Sequence, residues 1–122
     1  MKLDLRENKG IAILEISGEI TAGGGDQVLR EAVDTVLGSG RNQILLDLSN
    51  VEFMDSAGIG ELVASFRTVE RLAGHLKILN APPKVYNSLT IAKLLPIFEI
   101  YDDEEEAVAS FKKAKARGKK RD

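Results

Sequence analysis

Gln43-Ile44-Leu45-Leu46-Asp47-Leu48-Ser49-Asn50-Val51-Glu52-Phe53-Met54-Asp55-Ser56-Ala57-Gly58-Ile59-Gly60-Glu61-Leu62 changes its hydrophobic period halfway along, and that change decides the fold. Gln43 to Leu48 is a short, nearly unbroken apolar run, the pattern of a strand covered on both faces at the centre of a sheet. Ser49 to Asp55 reads as a loop. Beyond it Ile59, Leu62, Val63, Phe66, Val69 and Ala73 recur at helical spacing, and Gly74 stands where such a helix would end. Strand, loop and helix therefore meet at Asp55-Ser56, which places a hydroxyl at the opening of a helix that leaves a buried strand.

Upstream, Leu3 and Leu5, then Ile11, Ile13 and Ile16, nearly alternate with polar residues on either side of Asn8-Lys9-Gly10, which predicts two antiparallel strands joined by a tight hairpin. Thr21-Ala22-Gly23-Gly24-Gly25 interrupts regular structure, and Asp26 offers a cap for a helix carrying Val28, Leu29, Ala32, Val33, Val36 and Leu37 on one stripe. That helix is expected to stop at Gly38-Ser39-Gly40.

Downstream, Leu76 to Leu79 reads as a strand and Pro82-Pro83 as a helix start, while Pro96 breaks the chain before a strand through Phe98 and Tyr101. The last helix opens on Asp102-Asp103-Glu104-Glu105-Glu106 and ends among Lys112, Lys113, Lys115 and Arg117, matching acid and base to the two ends of its dipole. Strands alternating with helices after an opening hairpin predict an α/β fold: a mixed, mostly parallel sheet of about five strands with four helices packed on it. The expected organisation is one domain over 1–117 and a basic, flexible tail over 118–122.

Composition bounds the function. At 122 residues, 43% hydrophobic and 30% charged, the chain suits a single folded domain. Its net charge of −2 gives no field that would draw nucleic acid. No apolar run approaches the length of a membrane span and MKLDLRENKG lacks the layout of a signal peptide, so a cytoplasmic address and no membrane partner are expected. The absence of cysteine excludes thiolate chemistry and Cys-based zinc sites, and a single histidine, His75, leaves little material for metal binding or acid–base catalysis. No metal, cofactor or catalytic residue is predicted. A serine hydrolase would need glycine where Met54 stands in the elbow pattern, and a helix length separates His75 from Ser56. Gly23-Gly24-Gly25 and Gly38-Ser39-Gly40 lack the lysine of a phosphate-binding loop and read as turns.

Two uses of Asp55-Ser56 stand open on spacing alone. Both residues could simply cap the helix, with Gly58 and Gly60 permitting tight packing. Alternatively, the first turn, with its unpaired N–H groups and partial positive charge, could host a phosphate on Ser56. Each of those glycines costs a helix about 1 kcal/mol relative to alanine, which predicts close backbone approach to a strand or a partner. Phe53 and Met54 are either core residues beneath a loop or part of a partner surface.

VEFMDSAGIGEL, preceded by ILLDLS and followed by a long amphipathic helix, resembles the signature of the STAS domain, specifically that of bacterial anti-sigma factor antagonists. The resemblance runs from Met1 to Phe111 and takes in the hairpin, the GEI triplet and the later LKILN strand; its specificity lies in the combination. It implies a STAS fold and a binding switch, not an enzyme, that regulates transcription. Ser56 would be phosphorylated by a serine/threonine kinase that is also the anti-sigma factor, and a metal-dependent serine phosphatase would remove the phosphate. The unphosphorylated form would bind the anti-sigma factor and free its sigma factor. The implied partner-binding residues are Asp55, Ser56, Ala57, Gly58 and Ile59, with Thr21 and Gly24 from the neighbouring loop, on a monomer or weak dimer. Where many antagonists carry aspartate after the GEL or GEI triplet, this chain has Thr21 and then Ala22 before three glycines, which leaves open which kinase is recognised. The rival implication is a STAS scaffold subunit of a lipid- or anion-transport system with Ser56 unmodified.

Overall fold

The computed structural model describes residues 1–121, with side chains over 1–112. The opening hairpin pairs β1 (Lys2–Asn8) antiparallel with β2 (Ile11–Ile20) through a two-residue turn. Lys9 and Gly10 both take positive φ, 52° and 85°, the primed geometry that follows the twist of the strands. β3 (Gln43–Met54), β4 (His75–Leu79) and β5 (Ile100–Tyr101) then add in parallel, giving the order β1-β2-β3-β4-β5 with β3 at the centre.

Helices α1 (Gly25–Gly38), α2 (Ser56–Arg71) and α3 (Pro83–Ile91) cover one face, and α4 (Glu104–Arg121) covers part of the other. The central strand shows why. Ile44, Leu46 and Leu48 join the core under α1, α2 and α3, while Leu45, between them, joins Ile11, Ile13, Leu79, Ala107, Val108 and Phe111 under α4. A strand buried on both faces has no polar alternation to show, hence the unbroken apolar run.

Four expectations need correction. Ser49 to Met54 is not a loop: β3 runs on to Met54, pairing Asn50, Val51, Phe53 and Met54 with Ser17, Gly18, Glu19 and Ile20. β3 carries one extra residue at two points, Asp47 to Asn50 opposite Glu15 to Ser17 and Val51 to Phe53 opposite Gly18 to Glu19, so its two-residue period breaks, the buried positions Val51 and Met54 fall three apart, and the strand is hidden. Asp26 is not the N-cap of α1; Gly24 is, and Asp26 sits in the first turn, where its Oδ1 accepts from Gly24 N–H at 3.2 Å and Gln27 N–H at 2.8 Å. The helix starts early because Gly25 lies flat against β2, where a Cβ would stand 2.4 Å from the Glu19 carbonyl oxygen.

The strand expected through Phe98 and Tyr101 shrinks to Ile100–Tyr101, because Leu95–Ile97 forms a 3-10 turn around Pro96 and Phe98 turns into the core. Finally, Asp103 caps α4 by accepting from Glu106 N–H at 2.9 Å, and the helix backbone passes Gly118 and ends at Arg121. The side chains of the expected basic tail 118–122, and of Lys113, Lys115 and Arg117, lie outside the described residues.

Candidate functional site

β2 and β3 end side by side at Ile20 and Met54, and the helices that follow, α1 and α2, start at the same end of the sheet. Buried Met54 ends β3, and Asp55 follows in extended backbone as the N-cap of α2. Its carboxylate is used twice. Oδ1 accepts from Gly58 N–H at 2.9 Å inside the first turn, and Oδ2 accepts from Ala22 N–H at 3.0 Å in the loop between β2 and α1. One side chain thus ties the helix start to the neighbouring loop. The Ala22 N–H, and after it the Gly58 N–H, hold the Asp55 carboxyl below the ordinary carboxylate range, so it is ionised at neutral pH.

Ser56 is the first helical residue and is exposed. Its N–H and that of Ala57 belong to the first-turn donors that no helical carbonyl can reach, while Asp55 takes the Gly58 N–H by side chain and the Ile59 N–H by its carbonyl at 2.9 Å. A phosphate on Ser56 Oγ would therefore sit at the positive end of a sixteen-residue helix, where the Ala57 N–H already leans towards the Asp55 carboxylate.

The two glycines separate. Gly58 is buried, and a Cβ there would stand 2.0 Å from the Ile20 carbonyl oxygen and 2.8 Å from Met54 Cγ, so α2 touches β2 backbone to backbone. Gly60 faces open space, and no strand approaches it. Ala57 and Ile59 are half-buried. The structure thus brings Asp55, Ser56 and Gly58 into one constellation with the β2–α1 loop, but through Ala22 instead of Thr21 or Gly24. Thr21 O accepts from Asp26 N–H at 3.1 Å and Gly24 N–H turns to Asp26, so the loop closes on itself beside the helix. Asp26 therefore organises that loop and adds negative charge near the site. Met54 is core, whereas Phe53 is 47% exposed at the end of β3, a bare aromatic two residues before Asp55.

Of three buried polar residues, Glu61, Ser65 and Lys77, the sequence singles out only Glu61, which with Glu52 and Asp55 is expected to form an acidic patch around Ser56; the structure buries it against Arg30 instead. Glu61, 6% exposed, accepts from Arg30 Nε at 2.8 Å and from Ser65 Oγ at 3.2 Å, pinning α1 to α2. Its signal was a stripe of Gly58, Glu61, Ser65 and Val69 at helical spacing beside the apolar one. Lys77, 3% exposed, donates to Ser110 at 2.9 Å, pairs with Glu99 at 3.3 Å and lies 4.8 Å from the Phe111 ring centre, fastening α4 to β4. Nothing in the run Leu76-Lys77-Ile78 marked that lysine as buried.

The Ser56–His75 pairing required of a hydrolase does not form. His75 begins β4, its Nδ1 3.1 Å from Gln43 Oε1 at the start of β3, whereas Ser56 follows the far end of β3. About 35 Å of strand lies between them.

A sheet opened by an antiparallel hairpin, three helices on one face, and an Asp-capped helix presenting a serine beside a glycine-rich loop define the class of fold to which the chain belongs. A profile of the STAS domain matches residues 2–107, and the chain belongs to that family. It is 26% identical over 108 residues to the anti-sigma F factor antagonist of Paenibacillus polymyxa, an alignment covering 88% of this chain and 92% of that protein. Its fold is similar to that of the Bacillus cell fate determinant SpoIIAA in the phosphorylated form, with a TM-score of 0.69 at 23% identity, covering 89% of this chain and 98% of the other. The fold is also similar to that of a sulfate transporter family protein from Wolinella succinogenes, with a TM-score of 0.72 at 20% identity, covering 86% and 87%. Architecture by itself therefore does not select the role.

Proposed function

We propose that this protein is an anti-sigma factor antagonist that works by partner switching, with Ser56 as its phosphorylation site. The observation that carries this reading is the exposed Ser56 hydroxyl at the first position of α2, next to an Asp55 carboxylate already engaged by the Ala22 and Gly58 N–H groups. The relationship to an anti-sigma F factor antagonist over most of both chains supports it. In this account the unmodified protein docks on an anti-sigma factor that is also a serine/threonine kinase, through Asp55, Ser56, Ala57, Gly58 and Ile59 and the loop holding Thr21 and Gly24. Docking frees a sigma factor. A metal-dependent serine phosphatase resets the switch, and the protein itself acts in the cytoplasm without catalysis.

The energetics follow from charge. A phosphate adds about −1.5 to −2 charges at neutral pH. Here it would join ionised Asp55 and exposed Glu52, so burial of the patch against a partner becomes costly. Each factor of ten in affinity needs only about 1.4 kcal/mol, so a loss of about 3 to 4 kcal/mol makes a full switch. Intramolecularly the phosphate is accommodated by the first-turn donors, so the modification disfavours the complex without unfolding the helix.

Titration calorimetry of the partner kinase with the parent protein, Ser56→Ala and Ser56→Asp tests this. Ser56→Ala is expected to bind as the parent does and to stay bound when ATP is added, while Ser56→Asp binds at least about tenfold more weakly. Equal binding by all three, before and after ATP, would refute the switch. Co-purification with a membrane transporter in place of a kinase would point to the scaffold role that the transporter-family fold also permits.

A further inference from the structure

The sheet has two edges of unequal length. β5 contributes two residues, whereas β1 is a seven-residue extended strand with its outer side unpaired. Such an edge is a template for another strand unless charge or cover blocks it. β1 carries charge, but in a self-complementary order. Beside it, between β1 and α1, runs a groove of about 360 Å³ with walls of Leu3, Leu5, Leu14, Val28 and Val36, and Leu5 is 52% exposed on its rim.

We propose that two copies of this chain associate through antiparallel pairing of their β1 edges, with Leu5 on the two-fold axis. The register follows from the hairpin. In a two-residue hairpin the flanking residues, Asn8 and Ile11, exchange both hydrogen bonds, so the even residues of β1 bond inward to β2 and Leu3, Leu5 and Glu7 turn their N–H and C=O groups outward. Only pairings of odd residues with odd residues then satisfy both edges. Placing Leu3 opposite Leu5 sets Asp4 against Asp4 and Lys2 against Arg6, while placing Leu5 opposite Glu7 sets Arg6 against Arg6. Leu3 opposite Leu3 sets Lys2 against Asp4 but pairs only residues 1–5, whereas Leu5 opposite Leu5 pairs the whole of β1 and sets Asp4 against Arg6, twice, in the close non-hydrogen-bonded pairs where opposite charges help most.

Arg6 can accept this contact. Its Nε donates to Glu15 at 2.6 Å and its two terminal nitrogens to Glu104, so three of its five N–H groups are engaged with two carboxylates and two remain for a third. Asp4 has only a 4.0 Å approach to Lys2 to give up. On the opposite face the two Leu5 side chains meet over the groove and remove exposed apolar surface from both copies. The contact is confined to one strand and one groove, which is the scale of a weak, concentration-dependent dimer and not an obligate one. The product is a continuous sheet, with the Ser56 ends of both copies left outside the pairing.

The chain has no cysteine, so one introduced thiol reports the dyad cleanly. Paired residues on neighbouring strands have Cα atoms about 5.5 Å apart, within disulfide reach. Under mild oxidation Leu5→Cys is expected to form a covalent dimer at least about tenfold faster than Ile91→Cys, a residue 83% exposed on α3. By sedimentation velocity over micromolar to millimolar concentrations the parent protein shifts towards dimer. Asp4→Lys, which sets like charges against Arg6 at an exposed position, raises the dissociation constant at least about tenfold with unchanged melting temperature. Cross-linking of Leu5→Cys no faster than that of Ile91→Cys, a parent protein monomeric throughout, or a dimer indifferent to Asp4→Lys would each overturn the proposal.

Discussion

Alanine at Gly58 and alanine at Gly60 should have opposite effects, although both replace a glycine in the first turns of the same helix. Each substitution gains about 0.8 to 1 kcal/mol of helix propensity. At Gly60 nothing lies within 4 Å of the new methyl, so the gain survives and Gly60→Ala should be more stable than the parent by about 0.5 to 1 kcal/mol. At Gly58 the methyl carbon would stand 2.0 Å from the Ile20 carbonyl oxygen and 2.8 Å from Met54 Cγ. Carbon and oxygen need more than 3 Å, about 1 Å beyond the space available, and the obstacle is strand backbone that cannot swing aside. Overpacking of this kind costs about 1 to 3 kcal/mol or more, so Gly58→Ala should lose about 1 to 2 kcal/mol net. The two variants should differ by about 1.5 to 3 kcal/mol, roughly 5 to 15 °C in melting temperature for a domain of this size. Moving α2 off β2 also stretches the Asp55 bridge to Ala22, so amide exchange at Ala22 should quicken in Gly58→Ala alone. Urea unfolding followed by circular dichroism measures the stabilities. Two variants within about 0.5 kcal/mol of each other would refute the reasoning, because helix propensity would then be the whole effect.

Lys77 offers a second test of packing against charge. Lys77→Met keeps the stem between Tyr101 and Phe111 and removes a buried ion, so unfolding free energy should change by less than about 1 kcal/mol or rise, whereas Lys77→Ala should lose about 2 to 3 kcal/mol. Acid stability should carry the mark of Glu104. Arg6, and with it Asn8, lowers the Glu104 carboxyl to about 2, so its contribution is complete above the ordinary carboxylate value and is lost as pH falls from about 4.5 towards 2. Solvent access to both partners trims that contribution to about 1 to 2 kcal/mol, and Glu104→Gln should flatten the parent's stability profile over that window and nowhere else.

Legibility in the sequence followed the clarity of each period. The hairpin turn Lys9-Gly10, the doubly buried Ile44-Leu45-Leu46 and the stripes of α1 and α2 each obey one simple rule, and each stands where that rule puts it. The second half of β3 was not legible because two extra residues within it, bulging against β2, destroy the alternation that announces a strand. Likewise α1 begins ahead of its best capping residue, since Gly25 is placed by contact with Glu19 and not by propensity. At the site, sequence pointed to Asp55, Ser56, Ala57, Gly58 and Ile59 at one helix start and to Thr21 and Gly24 in the neighbouring loop. The Ala22 N–H that completes the clamp belongs to a loop 33 residues away, and a backbone donor on an alanine carries no sequence signal. Buried Lys77 was hidden for the same reason, its partners Glu99 and Ser110 being assembled only by the fold, whereas the burial of Glu61 had a helical stripe to announce it and only its partner Arg30 was hidden.

The claim on which the functional account rests is that the Ser56 hydroxyl takes and loses a phosphate and that a partner protein feels the difference. Incubation of the full chain with ATP and candidate anti-sigma factor kinases, followed by intact mass measurement and peptide mapping, tests this directly. A single phosphate on the peptide holding Met54-Asp55-Ser56, absent from Ser56→Ala and accompanied by release of the kinase, is the predicted result. An unmodified chain, a phosphate elsewhere, or a phosphorylated Ser56 that leaves the complex intact would contradict it.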